Sequence, residues 1–404
     1  MPTFAAIDIG SNSCRLKIAR VHSHQLKTVA EDREVTRLGG SVFDTGLISP
    51  EAMAATLRAL KRFQRVVQMH GVDRIRVVAT SAMRDARNSA AFQAWVKAET
   101  GWNMEIISGL EEGRLIHLGV TGTEPGAGGR VLLLDLGGGS CELTLSEHKR
   151  IKETVSLPLG AVRLTEQFLT SDPPPEDGLA RMLRLIAREL RRAQRKLQPG
   201  RAPMVIATSG TAAALSEACL NGAKNGKNGA KKSAKSSSRH DHPGHRSAIL
   251  AGIVPARSVR KLASKLAKMS LPARESVPGI GPRRAEIIVA GALVYADILE
   301  TFGLPGFRYS PLGLRDGILA QMLAQQDARA KAHREFEHER WESVLATARR
   351  YGVDPRHAEP VRAHALQLFH ELKGLHELPP EYESWLAAAA VLRDTGKFIN
   401  HQGH

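Results

Sequence analysis

The sequence predicts an α/β protein whose two halves are structural duplicates. Two observations carry this. One motif occurs twice, about 127 residues apart: FAAIDIGSNSCRLKI near the start and VLLLDLGGGSCELTL further on. Strand-like and helix-like patterns also alternate through both halves, as expected of a sheet layered with helices.

Each motif reads as a β-hairpin turning through a glycine- and hydroxyl-rich loop. The loops are Gly10-Ser11-Asn12-Ser13 and Gly137-Gly138-Gly139-Ser140, each preceded by a carboxylate, Asp8 or Asp135, with Glu142 just after the second. Glycine lets backbone approach a ligand closely, so that successive N–H groups face phosphate oxygens. A carboxylate beside such a loop is explained by a metal ion that offsets phosphate charge.

After the first hairpin, Pro50–Met69 carries Met53, Leu57, Leu60 and Val67 on one helical face. Arg74–Ala79 predicts a strand, Ala90–Thr100 a helix, and Met104–Ile107 a strand running into a helix that starts near Ser108. The second half opens on Gly126-Ala127-Gly128-Gly129. It continues through the second hairpin, a helix over Gly178–Leu197 and a strand over Met204–Ala207, followed by TSGTAAAL. Expected domains are 1–124, 125–322 and a mostly helical 323–404, in which the Trp385–Leu392 helix has no evident packing partner downstream. Asn221–Ser247 is rich in Gly, Lys, Ser and His and poor in apolar groups, which predicts a disordered insertion.

Composition bounds the function. Hydrophobic content of 42% and charged content of 24% are ordinary for a globular protein. No apolar run approaches the roughly 20 residues that span a bilayer, and no signal-peptide pattern opens the chain. A cytoplasmic protein with no membrane partner is expected. Cys14, Cys141 and Cys219 form no paired framework and read as buried thiols. The net charge is +16. Seven Lys/Arg against one Asp in Asn221–Ser247 account for about +6 of it, leaving about +10 elsewhere. That excess suits a polyanionic partner.

Ser108 followed by Glu111 predicts a capping box, in which Glu111 reaches back to the helix start. Glu112 points about 100° away around the helix and is left without a structural task. A carboxylate there, near two phosphate loops, is placed to take a proton from water. Phosphoryl hydrolysis needs little beyond positioning, charge neutralisation and such a residue. Thr208-Ser209-Gly210-Thr211 follows a strand and opens a helix, so Ser209 and Gly210 are further phosphate contacts or an ordinary N-cap.

Four segments resemble the Ppx/GppA family of exopolyphosphatases and guanosine pentaphosphate phosphohydrolases: AIDIGSNSCRLKIARV, VVATSAMRDARN, EIISGLEEGRLIHLGV and LLLDLGGGSCELTL. VPGIGPRRAEIIVAGALV and YSPLGLRDGIL also fit its pattern. The resemblance covers roughly residues 4–320. It implies a two-lobed actin/hexokinase-like fold (a duplicated ribonuclease H-like fold), Mg²⁺ or another divalent cation, and release of terminal phosphate from polyphosphate or pppGpp by a homodimer. By position it implies Glu112 as catalytic carboxylate and Asp8, Asp135 and Glu142 as metal-proximal acids. Gly10–Ser13 and Gly137–Ser140 become phosphate cradles, and Arg84 and Arg284 substrate contacts. Gly113 stands where the family has alanine.

The segment after 323 resembles the start of an HD-type helical domain, with His364 at its first histidine position. The later His-Asp pair reads Arg393-Asp394, and arginine cannot ligate a metal. An incomplete HD-like segment without a metal centre is therefore expected, with His364 structural. VPGIGPRRAEII also looks like a DNA-binding helix–hairpin–helix, but that would leave the duplicated loops unexplained, and no aromatic-studded basic stripe accompanies it. A kinase of the same superfamily and a non-hydrolysing sensor stay open. The basic surplus favours polyphosphate over pppGpp, since a long anion gains from an extended positive channel.

Overall fold

The computed structural model describes residues 1–200, 203–229, 252–326, 331–378 and 381–398. The chain divides into two compact units, 1–326 and 327–404.

The first unit contains two sheets. One comprises β1 (Thr3–Ile9), β2 (Ser13–His22), β3 (Gln25–Val35), β4 (Arg74–Ala79) and β5 (Met104–Ile106), in the order β3-β2-β1-β4-β5. The other comprises β6 (Arg130–Leu136), β7 (Cys141–Glu147), β8 (Arg150–Leu157), β9 (Met204–Thr208), β10 (Ile253–Pro255) and β11 (Gly306–Tyr309), in the order β10-β11-β9-β6-β7-β8. Apart from the edge strand β10, the two orders superpose. In each, a three-strand antiparallel meander continues into two parallel strands. The duplication therefore extends from the motifs to the whole sheets.

The central strands β1 and β6 are buried on both faces, which is why TFAAIDI and RVLLLDL read as apolar runs instead of alternating. Each sheet has its own apolar core. Ala161, Val162 and Ile287, from beyond the expected boundary at 124, pack into the first core. The helix Gly109–Thr121 crosses that boundary the other way. A Cβ at Gly109 would lie 2.2 Å from Ser156 Oγ, and one at Gly113 2.8 Å from Thr154 Cγ2, so this helix presses onto β8 of the second sheet. It also crosses the helix Leu314–Gln326 backbone to backbone. A Cβ on Gly317 would fall 1.8 Å from the Leu115 carbonyl oxygen, and one on Gly119 2.6 Å from Gly317 N. Leu314–Gln326 runs past the expected boundary at 322 and packs on β1.

The predicted helix Pro50–Met69 forms with those limits, capped by the Ser49 side chain. Ser89–Thr100 and Glu176–Gln194 each begin one or two residues earlier than predicted. Residues 221–229 of the predicted insertion continue the helix Ser209–Gly229. Residues 230–247, with the remainder of that prediction, lie outside the described residues. The VPGIG turn joins two helices of only five and four residues, Leu271–Glu275 and Pro282–Ala285. Its Gly279 packs against Glu217 and the Ala218 amide, so this part of the turn faces protein.

The second unit is helical: Lys331–Arg350, Pro355–Glu371, Lys373–His376, Glu381–Leu392 and a 3₁₀ turn over Arg393–Phe398. Glu381–Leu392 does have packing partners, upstream of it. Val391 and Leu392 join a small core with Trp341, Val344, Leu345, Ala348, Val353 and Ala358. His364 is exposed on the helix Pro355–Glu371. The histidine facing Asp394 is His357, with Nε2 3.6 Å from the carboxylate and 3.0 Å from Arg393 Nη2. Among the described residues no helix is long and apolar enough to cross a membrane.

Candidate active site

The two hairpins have one register. Asp8 pairs across the strands with Arg15, and Asp135 with Glu142. Each loop closes through the same bond, Gly10 N to Ser13 O at 3.2 Å and Gly137 N to Ser140 O at 3.0 Å. The loops touch each other. A Cβ on Gly138 would lie 3.0 Å from Ser11 Cβ, and one on Gly139 would lie 2.4 Å from Ser81 Oγ and 2.8 Å from Ser11 Oγ. These two glycines are thus needed where one loop packs on the other, a constraint separate from approach to phosphate.

The loops floor a cleft of about 690 Å³ lined by Asp8, Gly10, Ser11, Asn12, Ser13, Glu112, Asp135, Gly137, Gly138, Gly139, Ser140, Ser209, Gly210 and Arg284. Almost every residue singled out in the sequence is gathered there, from both sheets.

At one end Glu112, Asp135 and Glu142 bring carboxylate oxygens within 4.8 Å of one another. Glu112 is 6% exposed and Glu142 2%. Burial and the Glu142 charge push the Glu112 carboxyl well above its ordinary range, with Arg84 opposing. Burial and Asp135 push Glu142 up to about 7, and burial raises Asp135 against a hydrogen bond donated by the Thr208 hydroxyl. Glu142 Oε1 accepts from Ser156 Oγ at 2.8 Å, whereas Oε2 is buried without a partner. Three shielded carboxylates and an orphaned oxygen form a hard, oxygen-only donor set that fits a small divalent cation such as Mg²⁺. Asp8 stands outside this trio. Its carboxyl is raised by burial, and Arg15 and Arg315 oppose the shift.

Two sequence expectations change. The capping box is half formed: Ser108 Oγ accepts from Glu111 N at 3.1 Å, but the Glu111 carboxylate holds Arg114 at 2.7 and 2.8 Å. A bidentate guanidinium partner is stronger than one backbone N–H. Arg84, expected to hold substrate, is occupied within the protein. Its Nη1 donates to Glu112 Oε2 at 2.9 Å and to the Ile107 carbonyl at 2.8 Å, and its Nη2 to Ser140 Oγ at 3.2 Å. It ties the glutamate to the second loop.

The sequence reading missed most of the cationic wall. Arg15, Lys17, Arg33 and Arg315 join Arg283 and Arg284 around the cleft. Lys17 is paired with Asp316 and Glu31, and Arg315 lies 3.8 Å from Glu31. Among the described residues Arg15, Arg33, Arg283 and Arg284 have no carboxylate partner within 4 Å. Burial lowers Arg33 to about 10 and Arg284 to about 9, and both have buried guanidinium nitrogens without partners. Arg284 lies over Gly210, where any side chain would collide with its Nη2. Ser209 holds φ 79°, a left-handed backbone that a serine adopts at a cost and that recurs at ligand sites. Arg15, Lys17 and Arg33 lie in strands and Arg315 in a helix, and in sequence each resembles a solvated cation.

A profile of the Ppx/GppA phosphatase family matches residues 17–326. The chain belongs to this family. The profile of the family's domain III matches residues 340–404. Exopolyphosphatase 2 of Mycobacterium tuberculosis is 33% identical over 327 residues, 78% of this chain and 96% of that protein. A guanosine-5'-triphosphate,3'-diphosphate pyrophosphatase of Aeromonas hydrophila is 28% identical over 408 residues, 99% of this chain and 74% of that protein. The crystal structure of the Aquifex aeolicus family member aligns with a TM-score of 0.61 at 28% identity, over 81% of this chain and 99% of that one. The fold is the family's two-lobed actin-like α/β architecture, with a helical C-terminal segment.

Proposed function

We propose that the chain is an exopolyphosphatase, removing the terminal phosphate of inorganic polyphosphate with a divalent cation. The observation that carries this is the cleft's charge: a carboxylate trio together with Arg15, Arg33, Arg283 and Arg284, which have no carboxylate partner within 4 Å among the described residues. Several guanidinium groups without acidic partners around one cleft fit a long anion with a charge on every unit. The exopolyphosphatase named above is similar over 78% of this chain.

In the proposed reaction the terminal phosphoryl group lies against the N–H groups of both loops. Glu112, oriented by Arg84, accepts a proton from a water molecule as the water oxygen bonds to phosphorus. The P–O bridge to the next phosphate breaks, and its electron pair leaves with the shortened chain. Asp135 and Glu142 would hold the divalent cation, which supplies charge neutralisation at the phosphoryl oxygens. Arg15, Arg33 and Arg284 bind the remaining phosphates, and Asp8 balances Arg15 and Arg315.

The test is phosphate release from long-chain polyphosphate and from pppGpp, side by side, with and without Mg²⁺. Faster release from polyphosphate, dependent on Mg²⁺, supports the reading. Faster release from pppGpp supports the alternative, which the Aeromonas relative favours because its similarity continues through the C-terminal unit. Glu112→Gln separates a hydrolase from a sensor: release falls by about 10²–10⁴-fold while polyphosphate binding persists.

A further inference from the structure

The helix Glu176–Gln194 has two unlike faces. Met182, Ile186, Leu190 and Ala193 are buried in the second sheet's core. Outward, Arg181, Arg184, Arg188, Arg191 and Arg195 follow one another at steps of three and four residues, with Arg192 beside them, and all six are exposed. At about 1.5 Å per residue the row is roughly 21 Å long. Two carboxylates answer it: Asp177, 3.3 Å from Arg181, and Glu189, 3.1 Å from both Arg188 and Arg192. Arg184, Arg191 and Arg195 have no acidic partner among the described residues.

Like charges three and four apart weaken a helix by about 0.2–0.5 kcal/mol per pair, so this row is not there to hold the helix together. The arginines do not stand on a flat surface either. Arg181, Arg184, Arg188 and Arg191 line a groove of about 730 Å³ with Gln167, Phe168 and Arg163. Arg163, at this groove, is tied to the second glycine loop, its Nε donating to the Gly139 carbonyl at 2.7 Å while its Nη2 pairs with Asp85. The groove's one aromatic residue, Phe168, is packed against the core, so bases would find no stacking platform. Guanidinium forks along a groove match phosphate oxygens.

We infer that this arginine groove is a docking strip for the body of a long polyphosphate chain, outside the catalytic cleft. The inference rests on the polyphosphate reading above. The strip raises the local concentration of chain ends at the cleft, so it acts on long substrates and not on short ones.

The test compares the wild type with the full-length fourfold variant Arg184→Gln, Arg188→Gln, Arg191→Gln, Arg195→Gln, whose sites are exposed and outside the catalytic machinery. KM and kcat are measured for polyphosphate of several hundred units and for tripolyphosphate, at low and high salt. The expected result is a rise of about tenfold or more in KM for the long chain at low salt. Its salt dependence should become shallower, with kcat and both tripolyphosphate constants unchanged. An unchanged long-chain KM, or an equal rise for tripolyphosphate, overturns the strip while leaving the functional reading standing. If the wild type releases no phosphate from either substrate, the functional reading fails and takes the strip with it. A single-stranded RNA that binds the wild type more tightly than polyphosphate of equal charge, and loses that binding in the variant, assigns the groove to nucleic acid and overturns the inference.

Discussion

The two glycine-loop hairpins share strand register, turn closure and a buried cysteine after the serine, yet they differ at the position facing the aspartate. Asp8 faces Arg15, whereas Asp135 faces Glu142. Asp8 and Arg15 oppose each other in charge across the strands, with no ion pair within 4 Å, and both line the cleft. A carboxylate opposite a carboxylate, buried beside Glu112, is driven to take up a proton unless a cation offsets its charge. One duplicated scaffold thus carries a mixed-charge pair in one copy and an acidic pair in the other, which the proposed reaction uses for substrate and for a divalent cation, and a single cross-strand position separates them.

The sharpest way to break this contrast is on the acidic side. Glu142→Gln should lower Mg²⁺-dependent turnover by about 10²–10³-fold, comparable to removing one preorganised electrostatic group. It should also abolish the rise in melting temperature on adding Mg²⁺, read by scanning calorimetry. Next in size is Arg84→Gln, expected to reduce kcat by roughly 10²-fold with a smaller change in KM. Loss of that guanidinium removes the charge opposing the Glu112 shift, so the acidic limb of the pH–rate profile should move to higher pH.

On the cationic side, Arg15→Gln should act mainly on binding. A lost charge-assisted hydrogen bond of about 1.5–3 kcal/mol means a KM roughly 10–100-fold higher with kcat nearly kept. Equal loss of kcat in Arg15→Gln and Glu142→Gln would erase the proposed division of labour.

The acidic side also predicts a pH dependence of stability without divalent cation. Glu142 is held at about 7 in the fold against 4.5 when unfolded, so the native state binds more protons between those values. Its contribution is full below about 4.5 and is lost as pH rises through 7. Denaturant midpoints from pH 4.5 to 8 should show this decline, Mg²⁺ should oppose it, and Glu142→Gln should flatten it. The smallest effect is expected at Gly113→Ala. A gain in helix propensity of about 1 kcal/mol is set against a Cβ placed 2.8 Å from Thr154 Cγ2. Stability should change by less than about 1 kcal/mol, and turnover should hold if Thr154 yields.

Sequence alone determined the local features: the hairpins, the aspartates ending β1 and β6, the glycine loops, and Glu112 one helical step beyond its N-cap. Each of these depends on neighbours a few residues away, where glycine, alternation and capping chemistry act directly. What only the tertiary structure decided was which distant groups meet. Arg84 had the right neighbourhood and a different partner, because the Ile107 carbonyl, Glu112 and Ser140 converge on it from separate segments. The Gly109–Thr121 helix belongs by sequence to the first half, yet its glycines let it press on β8 and deliver Glu112 to the second loop. Arg15, Arg33, Arg284 and Arg315 are scattered over 300 residues and each reads as a solvated cation. Cross-strand register sets Arg15 opposite Arg33, and the helices Pro282–Ala285 and Leu314–Gln326 bring Arg284 and Arg315 to the same cleft, through long-range contacts that no local pattern encodes.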